Sequence, residues 1–139
     1  KALKAMTLID VIELPRILDP QLSPDGQTVS YTLNRADWKL NRQVAHIWTK
    51  SVSGGPAAQL TSGAGEYAAR SSPDGKTLLY VSGNHIYLVP SKGGVGRQLT
   101  KHATANGLTM PSWAPDGSAI YFLAPNVRAS GPRSGPSRS

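Results

Sequence analysis

Three stretches of the chain share one pattern of apolar and polar positions. In each, an aliphatic residue stands three positions after a glycine and an aromatic residue five positions after it: Val29 and Tyr31, Leu78 and Tyr80, Ile120 and Phe122. A spacing of two puts both side chains on one face of an extended chain, so each stretch predicts a half-buried β-strand. The residues just before these strands repeat as well, as Ser23-Pro24-Asp25-Gly26, Ser72-Pro73-Asp74-Gly75 and Ala114-Pro115-Asp116-Gly117. Proline presets φ, aspartate bonds to nearby backbone and glycine accepts a positive φ, so each tetrapeptide predicts a tight turn.

A second set of segments matches at a constant offset of 39 residues. Ile47-Trp48 corresponds to Ile86-Tyr87, Gly54-Gly55 to Gly93-Gly94, and Gln59-Leu60-Thr61 to Gln98-Leu99-Thr100. Each unit therefore reads as strand, Pro-Asp-Gly turn, strand, loop, strand, Gly-Gly turn, strand. That is a four-stranded antiparallel meander, the form of a propeller blade. The turns are 49 and 42 residues apart, close to the period of such blades. The longer first interval comes from ten extra residues, Asn34–Gln43, between the second and third strands of the first unit.

The ends depart from the repeat. Thr7 can cap a short amphipathic helix carrying Leu8, Val11, Ile12 and Leu14, which Pro15 ends. The third unit follows the repeat as far as Leu123 and then gives way to a tail of Gly, Pro, Ser and Arg that has little to bury and predicts disorder. The expected organisation is a helical segment (1–15), a first blade (16–62), a second (63–107), half of a third (108–125) and a disordered tail (126–139). The fold class is all-β: a partial β-propeller of about two and a half four-stranded antiparallel blades with a short N-terminal helix.

Composition narrows the function classes. The chain has no cysteine, which excludes disulfides and thiolate metal sites. No apolar run approaches the roughly 18 residues of a membrane-spanning helix, so no membrane insertion is expected. The net charge of +7 suggests nucleic acid, but its excess sits at the ends: Lys1, Lys4, Arg128, Arg133 and Arg138. Between Ala5 and Pro125 there are 10 basic and 8 acidic residues, so no nucleic-acid partner is expected.

The turn, the Tyr/Phe strand, the Ile-Tyr/Trp strand, the Gly-Gly pair and the Gln-Leu-Thr ending resemble the repeat of TolB-like (PD40-type) propellers. The opening Met6-Thr7-Leu8-Ile9-Asp10, followed by Ile17-Leu18-Asp19-Pro20-Gln21-Leu22-Ser23-Pro24-Asp25-Gly26, resembles the start of the propeller in dipeptidyl and acylaminoacyl peptidases of the prolyl oligopeptidase family. Such repeats often carry Trp before the turn. Trp113 fits that place, whereas Leu22 and Ser71 occupy it in the other units. The resemblance implies a serine peptidase whose catalytic domain follows the propeller. No Gly-x-Ser-x-Gly occurs here, so no catalytic residue carries over.

The expected role is thus a non-catalytic propeller fragment that restricts substrate access, with no cofactor. One alternative is a TolB-like module binding a protein or peptide; another is a hydrolase activity built by an oligomer. A beginning at Lys1 and the export of many relatives favour a periplasmic or secreted location.

His46 and His85 hold equivalent repeat positions, which predicts structural roles, and the turn aspartates predict local hydrogen bonding rather than catalysis. Trp38, with Arg35, Lys39 and Arg42 in the ten-residue insertion, forms the candidate partner-contact surface, because loops on rigid scaffolds carry function and Trp with Arg marks contact hot spots. Packing of Trp38 onto its own blade is the alternative. Open blade faces and the strand Ile120-Tyr121-Phe122-Leu123, ready to accept another chain, predict a homo-oligomer.

Overall fold

The computed structural model describes residues 5–101 and 109–123. The expected disordered tail, His102 and the boundary between the second and third units lie outside them. Helix α1 (Leu8–Glu13) comes first, capped reciprocally. The Asp10 amide donates to Thr7 Oγ1 at 3.2 Å, and the Thr7 amide donates to Asp10 Oδ2 at 2.7 Å. This capping box satisfies amides that have no partner within the helix.

Blade 1 is a sheet of β1 (Arg16–Leu22), β2 (Thr28–Asp37), β3 (Arg42–Ser51) and β4 (Ala58–Gln59), paired in sequence order. Blade 2 repeats it with β5 (Tyr67–Ser71), β6 (Thr77–Ser82), β7 (His85–Pro90) and β8 (Arg97–Gln98). Blade 3 contributes β9 (Thr109–Trp113) and β10 (Ile120–Leu123). All pairings are antiparallel, as two-residue and longer hairpin connections require.

The repeated residues hold the turns in one way. In the first two, the aspartate accepts from the serine hydroxyl (Ser23–Asp25 and Ser72–Asp74, both 2.5 Å) and from the amide two residues on. The serine hydroxyl in turn accepts from the amide of Thr28 or Thr77. In the third turn Ala114 replaces the serine, and Ser118 bonds Asp116 instead through both its amide and its hydroxyl. Gly26, Gly75 and Gly117 sit at φ 70°, 70° and 74°, where a Cβ is disfavoured.

Gln-Leu-Thr has an equally local explanation. β4 and β8 are only two residues long, and a side chain continues what the ladder leaves off. Thr61 Oγ1 accepts from the Ile47 amide at 2.9 Å, and Thr100 Oγ1 from the Ile86 amide at 3.0 Å. Gln59 and Gln98 each donate to the carbonyl of their own threonine at 2.7 Å.

The insertion differs from its sequence reading as a connection. It lengthens the strands instead: Asn34 pairs with Ala45, Arg35 with Val44, Ala36 with Gln43 and Asp37 with Arg42. Only the tip turns, with Asp37 Oδ1 accepting the amides of Lys39 and Leu40. Extending the ladder gives each backbone group a partner that a ten-residue loop would have to find in solvent.

Blade 2 is the centre of the core. Strand β6 is buried on both faces. Leu78 and Tyr80 face blade 1, clustering with Ile47, Ala69 and Val89. Leu79 and Val81 face blade 3, clustering with Ile86 and packed on by Trp113 and Ile120. By contrast α1 buries none of its residues, and Leu8, Ile9 and Val11 remain exposed, as do Ile17 and Leu18 of β1.

Candidate functional site

The first strands of the three blades stand side by side, with β5 in contact with both β1 and β9. Strands β1 and β5 bulge at equivalent places, between Leu18 and Gln21 and between Tyr67 and Arg70. Each bulge carries a non-glycine residue in the left-handed region, Asp19 at φ 49° and Ala68 at φ 56°. The bulge re-aims the side chains beside it. Asp19 Oδ2 meets Arg70 Nη1 at 2.6 Å, and the Arg70 carbonyl accepts from Trp113 Nε1 at 3.0 Å. One polar line thus ties all three blades along their neighbouring first strands. An open cleft of about 290 Å³ lies over it, reaching Gln21, Arg70, Ser112 and Trp113. These groups can position a polar chain by hydrogen bonding, and none of them forms a nucleophile–base pair.

The candidate contact residues on the long hairpin separate. Arg35 lies 5.3 Å above the ring of Trp48 on the blade's outer face, a cation–π stack. Trp38 Nε1 donates to Glu13 Oε1 at 3.0 Å, fastening the hairpin tip to α1 while the indole stays 57% exposed. Arg42 Nη2 donates to the Ala64 carbonyl at 3.3 Å, on the crossover to blade 2. Lys39 occupies the tip turn. Trp38, Lys39 and the neighbouring Leu40 form the exposed tip, and Arg35 and Arg42, also exposed, lie below it on the strands, each in contact with another part of the fold.

On β10, Ile120 packs toward Leu79, Val81 and Ile86, while Tyr121, Phe122 and Leu123 are exposed.

A buried carboxylate escaped the repeat-based reading. Glu66 is only 2% exposed and sits on the crossover between blades, its amide donating to the Ala45 carbonyl at 2.8 Å. Its Oε2 accepts from the Thr61 hydroxyl at 2.9 Å and meets His46 Nδ1 at 2.7 Å. Thr, His and Glu here do not form a catalytic relay. The hydroxyl is directed at the carboxylate rather than the imidazole, so the three do not stand in the hydroxyl–imidazole–carboxylate order of a catalytic triad. The equivalent His85 contacts Thr100 instead. The signal available in the sequence was a single acid in a loop of small residues, 62–65, with no repeat partner to explain it.

Titration follows the same geometry. Hydrogen bonds from Ser23, Ser72 and Ser118 hold Asp25, Asp74 and Asp116 below the ordinary carboxylate value. Burial pushes the Tyr80 phenol up, with Glu66 adding repulsion. Among the described residues no three His, Cys, Asp or Glu side chains come together to hold a metal ion.

Antiparallel blades stacked side by side through their faces define a segment of a β-propeller, and solved structures agree. The acylaminoacyl peptidase of Pyrococcus horikoshii superposes with a TM-score of 0.64 at 18% identity, over 77% of this chain and 17% of that one. A TolB-like protein from Agrobacterium tumefaciens gives 0.62 at 24% identity, over 82% and 41%. Two curated sequences are similar. The uncharacterized peptidase YuxL of Bacillus subtilis is 29% identical over 123 residues, which is 84% of this chain and 18% of that protein. Dipeptidyl-peptidase 5 of Porphyromonas gingivalis is 28% identical over 112 residues, 78% and 16%. No model of a known protein family matches the chain. Its two curated relatives are peptidases, and the solved structures share its propeller fold over part of their own length. The chain spans less than a fifth of the length of the curated relatives it matches.

Proposed function

We propose that these blades open the propeller of a prolyl-oligopeptidase-type serine peptidase and help to restrict which substrates reach a catalytic domain elsewhere in the longer protein. The observation that carries this reading is the similarity to two peptidases over most of this chain. The line of Asp19, Arg70 and Trp113 along the first strands supports it, since it lies under an open cleft where hydrogen-bonding groups can meet a polar chain. Reading the gene past codon 139 tests it. A continuing propeller followed by Gly-x-Ser-x-Gly is expected, and a stop after a complete propeller would overturn it in favour of a TolB-like binding module. That second reading is favoured by the greater share of the Agrobacterium chain that is covered, 41%.

Taken by itself, the 139-residue chain self-associates in this proposal, through apolar blade faces and the exposed Tyr121, Phe122 and Leu123 of β10. Sedimentation velocity across a dilution series is expected to show association; a compact monomer at every concentration would refute it.

A further inference from the structure

The crossover loop, the blade-1 side of blade 2 and the loop before β8 enclose a cleft of about 540 Å³. Two polar atoms in it are underused. Glu66 spends Oε2 on His46 and Thr61, but Oε1 receives only the Gly65 amide, at 3.5 Å. The Tyr80 hydroxyl has no hydrogen-bond partner among the described residues, although the residue is only 8% exposed. Its ring stacks on Tyr87, with centroids 5.4 Å apart and planes 13° from parallel, so an aromatic wall stands beside the carboxylate.

Two glycines keep these atoms clear. A Cβ at Gly63 would collide with Glu66 Oε1, and one at Gly96 would collide with the Tyr80 hydroxyl. Neither glycine has a positive φ, so close approach to a polar atom, rather than backbone conformation, is what a side chain there would violate. No Lys or Arg among the described residues lines the cleft, although the chain as a whole carries +7. Arg42 reaches the Ala64 carbonyl through its guanidinium without entering that lining.

We propose that this cleft binds an organic cation, the guanidinium or ammonium head of a basic side chain, on Glu66 Oε1 and the Tyr80 hydroxyl. A buried carboxylate has strong reason to take a cation, because desolvation leaves its charge poorly screened. An aromatic wall adds attraction for the same charge. The proposal goes beyond the peptidase reading and does not depend on it, since no residue of β1, β5 or β9 lines the cleft.

The test is ligand-observed NMR titration of the full 139-residue chain with N-acetyl-arginine methylamide and with its neutral isostere, N-acetyl-citrulline methylamide. Saturable binding of the arginine probe is expected, with the citrulline probe at least about tenfold weaker, a difference on the order of 1.4 kcal/mol. Glu66→Gln is expected to weaken arginine binding about tenfold or more, and Tyr80→Phe by a few fold. Should Glu66→Gln fail to fold, Tyr80→Phe decides, because it removes a hydroxyl that makes no bond in the fold. Equal binding of the two probes, no saturable binding, or an unchanged affinity in folded Tyr80→Phe would each overturn the proposal.

Discussion

Blades 1 and 2 share a backbone and differ in what they turn toward the next blade. In blade 2 that face is Leu79, Val81, Ile86 and Leu88, which meet Trp113 and Ile120. The equivalent positions of blade 1 are Ser30, Thr32, Ile47 and Thr49, so only the isoleucine is shared. Ser30 and Thr32 are buried, like the leucine and valine at the equivalent places, yet among the described residues Thr32 Oγ1 finds no hydrogen-bond partner, and neither does Asn34 Oδ1 further along the same face. The seam between blades 1 and 2 is held in part by directional ties: Asp19 to Arg70, the Glu66 amide to Ala45, and Glu66 to His46. The seam between blades 2 and 3 rests mainly on apolar contact, with one hydrogen bond across it, from Trp113 Nε1 to the Arg70 carbonyl. One ladder of backbone hydrogen bonds therefore supports two kinds of blade contact, and the inward side chains choose between them.

Leu79→Ala gives the largest effect that would sharpen this contrast. Removing a fully buried leucine should destabilise by about 2–5 kcal/mol, whereas Ser30→Ala at the equivalent place should change stability by no more than about 1 kcal/mol. Urea unfolding of both variants measures the difference, and similar losses would mean that the two seams are energetically alike. Thr32→Val copies blade 2 into blade 1. It should stabilise by about 1 kcal/mol by deleting a buried hydroxyl that lacks a partner while keeping the shape. A loss of stability would show that the hydroxyl is bonded after all and that the first seam is satisfied.

The smallest effect separates the turns. Asp25, Asp74 and Asp116 have folded pKa values below their ordinary 3.8, so each favours the native state above that value. Their contribution is lost as pH falls through the lowered folded values, where folded and unfolded states bind the same protons. Asp74→Asn should flatten the stability–pH curve below about pH 4, and Asp116→Asn should do the same through the Ser118 bonds. An acid limb unchanged in both variants would assign acid sensitivity to other carboxylates. All three aspartates are fully exposed, so the change is expected to be small.

The blades themselves were legible because their determinants are local. Thr7 caps the helix, Pro-Asp-Gly builds the turn, and Gln-Leu-Thr closes each sheet through bonds spanning a few residues or one hairpin. The insertion was less legible. Nothing in Asn34–Gln43 distinguishes a loop from a longer hairpin until Asn34, Arg35, Ala36 and Asp37 are seen paired across to Ala45, Val44, Gln43 and Arg42. The candidate contact cluster fared similarly. Trp38, Arg35 and Arg42 are neighbours in sequence, but strand alternation and the hairpin's length send them to α1, Trp48 and Ala64.

What the sequence by itself determined is the blade: its period, its turns and the strand face that carries an aliphatic residue and an aromatic one. Those rest on backbone sterics and short-range hydrogen bonds, which a repeated motif states outright. Only the tertiary structure decided that β6 would be buried on both faces, that Asp19, Arg70 and Trp113 would join across three blades, and that Glu66 would be buried beside Tyr80. Those features depend on which blade lies next to which and how far the crossover reaches, and a side chain's own neighbours in sequence carry no record of that distance.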